Sequence, residues 1–171
     1  MAQIVRIPSG VLPDMSMYPW LTVSLMVVTG SLVSPILEQA GIWGYCQSIL
    51  EREFSGPVAV LLAAILFAIL PHPPMHSPLW PKLVFYFLTG AMLGVTAYLT
   101  KSILPGLVVH VVGLLTFFVL VFPHDTTRRL VSEGGADGLF WSHVAQAIIF
   151  TVLATLSFVH LASVTGRDGV S

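Results

Sequence analysis

The sequence predicts an all-α protein, a polytopic bundle of about five transmembrane helices that forms a single membrane-embedded domain over residues 1–171. Three observations lead to this fold class. Hydrophobic residues make up 56% of the chain and charged residues only 9%, whereas soluble domains carry roughly 25% charged residues. The mean hydropathy is +0.90. Five apolar runs approach the roughly 20 residues needed to cross a hydrocarbon core.

The five apolar runs are expected to be helices rather than strands. They cover residues 19–45, 56–70, 82–100, 103–122 and 138–160. Each run is too long for a barrel strand and lacks strict alternation of apolar and polar residues. We therefore expect an integral membrane protein, located in the cell membrane and surrounded by the lipid bilayer.

Turn-forming sequences separate the runs. The stretch PHPPMHSPLWP, residues 71–81, holds five prolines in eleven residues, so a helix is not expected to continue through it. The polar stretch HDTTRRLVSEGGADG, residues 124–138, is the longest hydrophilic loop. With a formal net charge of −1 and no basic stripe, the chain is not expected to bind nucleic acid. The single cysteine, Cys46, excludes an internal disulfide framework and a CxxC motif.

The ionisable residues inside the apolar runs are the candidates for function. Glu38 is the one acidic residue in such a run, and apart from Lys82 at the start of the third run every Lys and Arg lies in a loop or a tail. His110 lies inside the fourth run, and His72 ends the second. A charge at the bilayer centre costs at least about 2.5 kcal/mol, so such residues face the bundle interior. We expect Glu38 and His110 to meet there, within about one bridging water of each other.

Two kinds of role are open to these residues. The carboxylate can activate a water that the imidazoles position, or the residues can bind a divalent metal ion. Both arrangements give hydrolysis within the membrane. The alternative is structural, because a buried histidine often only joins two helices by a hydrogen bond worth on the order of 0.6 kcal/mol.

Small and aromatic residues in the runs predict packing rather than chemistry. Gly90 and Gly94 have the spacing of small residues that lets helices approach closely. The tryptophans lie near the ends of the runs, where residues of the membrane–water interface are expected. They are Trp20, Trp43, Trp80 and Trp141.

The stretch AYLTKSILPGLVVHVVGLL carries an ordered set of residues that leads to the buried histidine. The set consists of Tyr98, Thr100, Ser102, Pro105 and His110. It resembles the third conserved motif of the CPBP family, which contains the type II CAAX prenyl proteases and related bacteriocin-processing enzymes. That motif reads a tyrosine, an aliphatic residue, a hydroxyl residue, a Ser-Leu-x-Pro step and then a buried histidine.

A second stretch, SPILEQAGIWGYCQSIL, resembles the first motif of that family. The family has a Glu-Glu pair, three residues and then Arg-Gly, usually after a proline. The corresponding positions here are Pro35, Glu38, Gln39, Trp43 and Gly44. Gln39 thus replaces the second glutamate, and Trp43 replaces the arginine.

The stretch LLAAILFAILPH resembles the second motif, an aromatic residue with a histidine a turn later. Phe67 and His72 are separated by five residues rather than the usual four, Pro71 fills the expected place, and His76 is a competing imidazole. We favour His72 because it directly ends the run that carries Phe67. The resemblance covers about residues 31–118, where the three motifs occur in the family's order on successive runs.

The resemblance implies an intramembrane endopeptidase that cleaves a membrane-anchored peptide or protein. Glu38 would activate a water, and His72 and His110 would position that water, stabilise the oxyanion or bind a divalent metal ion. The family's usual Asn or Asp four residues after the last histidine is Leu114 here. Together with the other two replacements, this change favours the alternative of a catalytically silent relative that acts as a scaffold, an immunity protein or an accessory subunit.

Overall fold

The computed structural model describes residues 17–70, 79–121 and 131–165. Over these ranges the chain is helical and contains no strand, which confirms the all-α prediction. The described helices fall into two compact units, one within residues 17–121 and the other within residues 131–165. The expectation of one membrane-embedded domain stays a prediction.

The first helix is longer than the sequence suggested. Helix α1 extends over Trp20–Glu53 without a break, whereas the first apolar run was expected to end at residue 45. Its middle segment, Gln39–Cys46, is π-helical. Pro35 lies inside α1, where its missing N–H leaves a backbone carbonyl without its usual helical partner. The hydrophobic run therefore ends before the helix does.

Three further helices complete the first unit, and one long helix dominates the second. Helix α2 is Gly56–Ile69, and α3 is Leu79–Thr100. Helix α4 comprises an α-helical segment, Leu104–Thr116, followed directly by the π-helical Phe117–Val121. After a single turn at residues 131–134, helix α5 runs over Gly138–Thr165.

Three of these helices are long and apolar enough to cross a membrane. They contain the segments Trp20–Glu53, Leu83–Thr100 and Gly138–Thr165. The apolar helices Gly56–Ile69 and Leu104–Val119 are shorter. The 14 residues of α2 rise by roughly 21 Å, less than the roughly 30 Å of a hydrocarbon core. All five predicted runs are helical, and three of them have the length of a full span.

Small residues allow α2 and α3 to pack closely. Ala63 and Ala64 of α2 are fully buried. A Cβ atom added to Gly90 of α3 would lie 3.2 Å from the Ala64 Cα and 3.0 Å from a Phe67 ring carbon. A Cβ on Gly94 would lie 3.2 Å from Val60 of α2. The predicted packing at the two glycines is confirmed, and this contact is the most extensive one between helices of the first unit.

The π-helical segment determines which side chains of α1 face the bundle. Four residues of α-helix turn about 40° past a full turn, so residues spaced by four drift around the helix. The wider π turn, with i→i+5 hydrogen bonds, advances less per residue and reverses this drift. One side of α1 therefore stays buried along its length, with a buried residue at every fourth position: Ser31, Pro35, Gln39, Trp43 and Gln47.

Candidate active site

Glu38 and His110 come together where α1 packs on α4. The Nε2 atom of His110 lies 3.7 Å from Oε2 of Glu38, and the side chains are 11% and 26% exposed, respectively. This distance is within ion-pair range and longer than a hydrogen bond, and one water at about 2.8 Å from both atoms fits between them. The prediction that the two side chains meet inside the bundle is confirmed. Their catalytic role stays a prediction.

Ser34 holds the Glu38 carboxylate in place. It lies one turn earlier on α1, and its hydroxyl donates a 2.6 Å hydrogen bond to Oε1 of Glu38. A bond this short is typical of a hydroxyl that donates to a carboxylate. Because Oε1 is occupied, Oε2 is the oxygen directed at His110. Ser34 is absent from the residues predicted above, although a spacing of four residues places both side chains on one face of a helix.

Two aromatic rings hold the His110 imidazole. The ring centroids of Trp43 and Phe67 each lie 6.5 Å from that of His110, at interplanar angles of 81° and 87°. Trp43 and Phe67 also contact each other, at 5.0 Å between centroids. Tyr86 of α3 packs edge-on against Phe67 from a further side. Such edge-to-face contacts favour one ring orientation, so His110 is presented to Glu38 by a rigid aromatic group.

Trp43 is a core residue, whereas its expected location near the membrane interface stays a prediction. The side chain is 3% exposed, and its Nε1–H donates to the Gly90 carbonyl at 3.2 Å. One turn later, Gln47 donates from Nε2 to the Gly94 carbonyl at 3.0 Å. Trp43 lies near the end of the apolar run and well inside the helix. At the position of the family's arginine, this chain has a side chain that joins α1 to α3.

Gln39 is the most completely enclosed polar side chain next to the pair. It has no exposed surface, and neither Oε1 nor Nε2 has a hydrogen-bond partner among the described residues. Its amide lies against Gly106 of α4, where an added Cβ would be 3.1 Å from Oε1. Gly106 is one helical turn before His110, so Gln39 and Glu38 contact successive turns of the same helix.

The remaining residues of the third motif shape the turn from α3 to α4. The Tyr98 ring occupies the space that a side chain at Gly56 would need. The Thr100 hydroxyl lies 3.0 Å from the Ser102 carbonyl, and the Ser102 hydroxyl accepts the backbone N–H of Leu104 at 3.2 Å. These contacts define where α4 begins and thereby the position of His110 along the helix axis.

The histidines of the second motif cannot be placed, because His72 and His76 lie outside the described residues. Within the described ranges, no group of three His, Cys, Asp or Glu side chains could hold a metal ion. Glu38 and His110 supply two ligand atoms, whereas a catalytic metal site commonly takes three from the protein. The choice between His72 and His76 and the binding of a divalent metal stay predictions, and no chemical step below depends on a metal.

The fold and the partly buried carboxylate–imidazole pair define a helical integral membrane protein with ionisable residues inside its bundle. Residues 19–116 match the model of a protein family described as type II CAAX prenyl endopeptidase Rce1-like. Because the match covers more than half of the 171 residues, the chain belongs to this family. The match confirms the resemblance to the CPBP family, and it contains Glu38 and His110. No curated protein and no solved structure shows a significant match to the chain.

Proposed function

We propose that this chain is an intramembrane endopeptidase that cleaves a peptide bond near the lipid-modified end of a membrane-anchored peptide or protein. The description of its family as type II CAAX prenyl endopeptidases supports this activity. The observation that carries the proposal is the 3.7 Å approach of Glu38 Oε2 to His110 Nε2 inside an apolar bundle. A carboxylate and an imidazole at this distance can act on the same water molecule.

In the proposed reaction Glu38 is the general base. A water hydrogen-bonded to Oε2 attacks the carbonyl carbon of the scissile bond as its proton moves to Oε2. The carbonyl becomes a tetrahedral oxyanion, and His110, with a proton on Nε2, donates a hydrogen bond to it. When the C–N bond breaks, the proton on Glu38 moves to the leaving amine, and the carboxylate is restored.

The surroundings of the pair support these roles. The Ser34 hydroxyl leaves one carboxylate oxygen for the water. Trp43 and Phe67 hold the imidazole and exclude lipid chains from one side of it. An apolar environment strengthens each hydrogen bond to a developing charge. His72 would be the second imidazole of the site, and a divalent metal bound by the histidines and Glu38 would supply additional polarisation of the water or the carbonyl.

The substrate class follows from the membrane location. A lipid-modified peptide diffuses in the bilayer and reaches the pair between helices, whereas a soluble peptide has no such route. We propose the cell membrane as the location and a prenylated C-terminal peptide as the first substrate to test.

The direct test is Glu38→Gln in purified protein reconstituted into liposomes with a farnesylated CAAX peptide. The amide keeps the size and the hydrogen bond to Ser34 but cannot accept the proton, so cleavage should fall by about 10²–10⁴-fold. Thermal stability should be unchanged or higher, since a neutral amide is cheaper to bury than a carboxylate. Cleavage at the wild-type rate by Glu38→Gln would exclude Glu38 as the base.

A catalytically silent scaffold is the second candidate function. The observation that favours it is Trp43, which uses the position of the family's arginine to join α1 to α3. In that case no lipid-modified peptide should be cleaved by the wild-type protein, and Glu38→Gln should only change stability. Binding of a partner protein should then persist in the variant.

A further inference from the structure

An intramembrane hydrolase needs a supply of water. A cavity with several polar lining residues is displaced from the Glu38–His110 pair along the axes of α1 and α4. Its volume is about 220 Å³, which is ample for several waters. The cavity is lined by Gln47 and Glu51 of α1 and by Lys101 and Ser102 of the α3–α4 turn, among other residues. Lys101 is 69% exposed and pairs with Glu51 at 3.6 Å, so the cavity lies at a charged end of the bundle.

In the order of residues along α1 and along α4, the contact between Gln39 and Gly106 comes between the cavity and the Glu38–His110 pair. Along the chain the order is Ile103 at the cavity, directly before α4, and then in α4 Gly106 against Gln39 and His110 against Glu38. From residue 103 to residue 110 the helix rises by roughly 10 Å. On α1 the order is the same, with the cavity-lining Trp43 and Gln47 after Gln39. Polar side chains therefore occur at the cavity, at Gln39 and at the pair.

The Gln39 amide, at this intermediate position, has hydrogen-bonding atoms without partners among the described residues. It offers two N–H donors and one carbonyl acceptor, and none of them is satisfied among the described residues although the side chain is fully buried. A buried amide without partners destabilises the fold, and bound water removes that cost. Gly106 leaves room for the amide, because a Cβ there would lie 3.1–3.3 Å from its oxygen and nitrogen.

We infer that Gln39 is a buried water-binding site that passes water from the cavity at the charged end of the bundle to the Glu38–His110 pair. This inference rests on the proposed function, since the pair consumes the water. An amide both donates and accepts, so it can bind a water on the cavity side and another on the catalytic side. The glutamine that replaces the family's second glutamate thus performs this task without adding a charge beside Glu38.

The first test detects the water directly in the full-length protein. Among the four glutamines of the chain, the Gln39 side-chain amide is assigned in a ¹⁵N-glutamine-labelled sample by its disappearance in Gln39→Leu. We expect a cross-peak between its protons and water, although the side chain has no exposed surface. The methyl group of Ala63, equally buried in the apolar core, is the control and should show none. A Gln39 amide without water contact overturns the inference, whatever the activity.

The second test measures the consequence. Gln39→Leu should lower kcat by about tenfold or more, the scale for a lost supporting partner, and leave KM unchanged. Gly106→Ala should also lower kcat, because its Cβ crowds the Gln39 amide. Gly113→Ala should leave kcat unchanged, because the space around its Cβ is open. A wild-type kcat in Gln39→Leu would refute the water supply. If instead Glu38→Gln retains full cleavage, the proposed function fails while the water at Gln39 is still observed.

Discussion

Neighbouring residues of α1 contact different partners, so their roles at the site can be separated by single substitutions. Glu38 faces His110, Gln39 faces Gly106, and Trp43 faces the Gly90 carbonyl. The Ser34 hydroxyl bonds Glu38 within α1. The site is therefore organised by residues that the family motifs do not all include.

Ser34→Ala should lower the rate of cleavage by about tenfold, because it removes one hydrogen bond to a charged carboxylate. Glu38 is still present as a base, so the loss should be far smaller than that of Glu38→Gln. Cleavage of a farnesylated peptide in liposomes measures the effect. Ser157→Ala is the matched control, since the exposed Ser157 hydroxyl donates to the Leu153 carbonyl within α5 and lies outside the site. Equal rates in the two variants would show that Ser34 does not orient Glu38.

Trp43→Phe should lower the free energy of unfolding by about 1–3 kcal/mol, because the Nε1–H bond to the Gly90 carbonyl and part of a buried ring are lost. The remaining phenyl ring keeps contact with Phe67. Denaturant or thermal unfolding in detergent micelles measures the change. Trp141→Phe serves as the control, because Trp141 is 61% exposed and should change stability by no more than about 0.5 kcal/mol. A Trp43 variant as stable as this control would contradict its role in joining the helices.

At the scale of helices, the bundle depends on close contact along one face of α3. The face consists of Gly90, Leu93 and Gly94, and all three are buried. Helix α2 packs on it with alanines, and α1 bonds its glycine carbonyls through Trp43 and Gln47. Carbonyls in a helix are within reach of such side chains only where the residue itself is small. Gly90 and Gly94 therefore allow both the packing of α2 and the hydrogen bonds from α1.

Gly90→Ala should destabilise the bundle, whereas Gly113→Ala should not. Both changes raise helix propensity by about 1 kcal/mol. At Gly90 the new methyl group would lie 3.0 Å from the Phe67 ring and 3.2 Å from the Ala64 backbone, and such overpacking costs about 1–3 kcal/mol. At Gly113 nothing lies within 4 Å. Thermal unfolding of both variants measures this difference in stability. A Gly90 variant as stable as the Gly113 variant would rule out tight contact between α2 and α3.

At the scale of the whole molecule, the candidate site belongs to one of the two units. Glu38, His110 and the residues that support them lie within residues 17–121, and the family match covers residues 19–116. Helix α5, Gly138–Thr165, has no buried residue. Its apolar surface is suited to contact with lipid.

A chain truncated after Gly135 should still insert into membranes and cleave the lipid-modified peptide at a rate close to that of the full chain. The physical reason is that α5 supplies neither a described side chain of the site nor a buried residue. Cleavage and thermal unfolding of the truncated and full chains are compared in the same liposomes. A loss of cleavage without a loss of insertion would mean that α5 contributes to the site.

From the sequence alone we predicted the class of protein, the approximate positions of the helices and the residues of the central pair. Hydropathy is a local property, so apolar runs predict membrane helices without knowledge of their neighbours. The cost of a charge in hydrocarbon likewise singles out Glu38 and His110 wherever the helices lie. The family motifs are short stretches that occur in a fixed order along the chain. They allowed the family to be predicted from the sequence as well.

The roles of the other residues depend on contacts that form only in the folded chain. The sequence did not predict the partner of Trp43, whereas in the structure this side chain is buried and donates to the Gly90 carbonyl of α3. Ser34 and Gln39 gained their significance in the same way, from the face of α1 that packs on α4. Helix register and contacts between segments some 70 residues apart set these partners. Neither is encoded in the composition or the spacing of one segment.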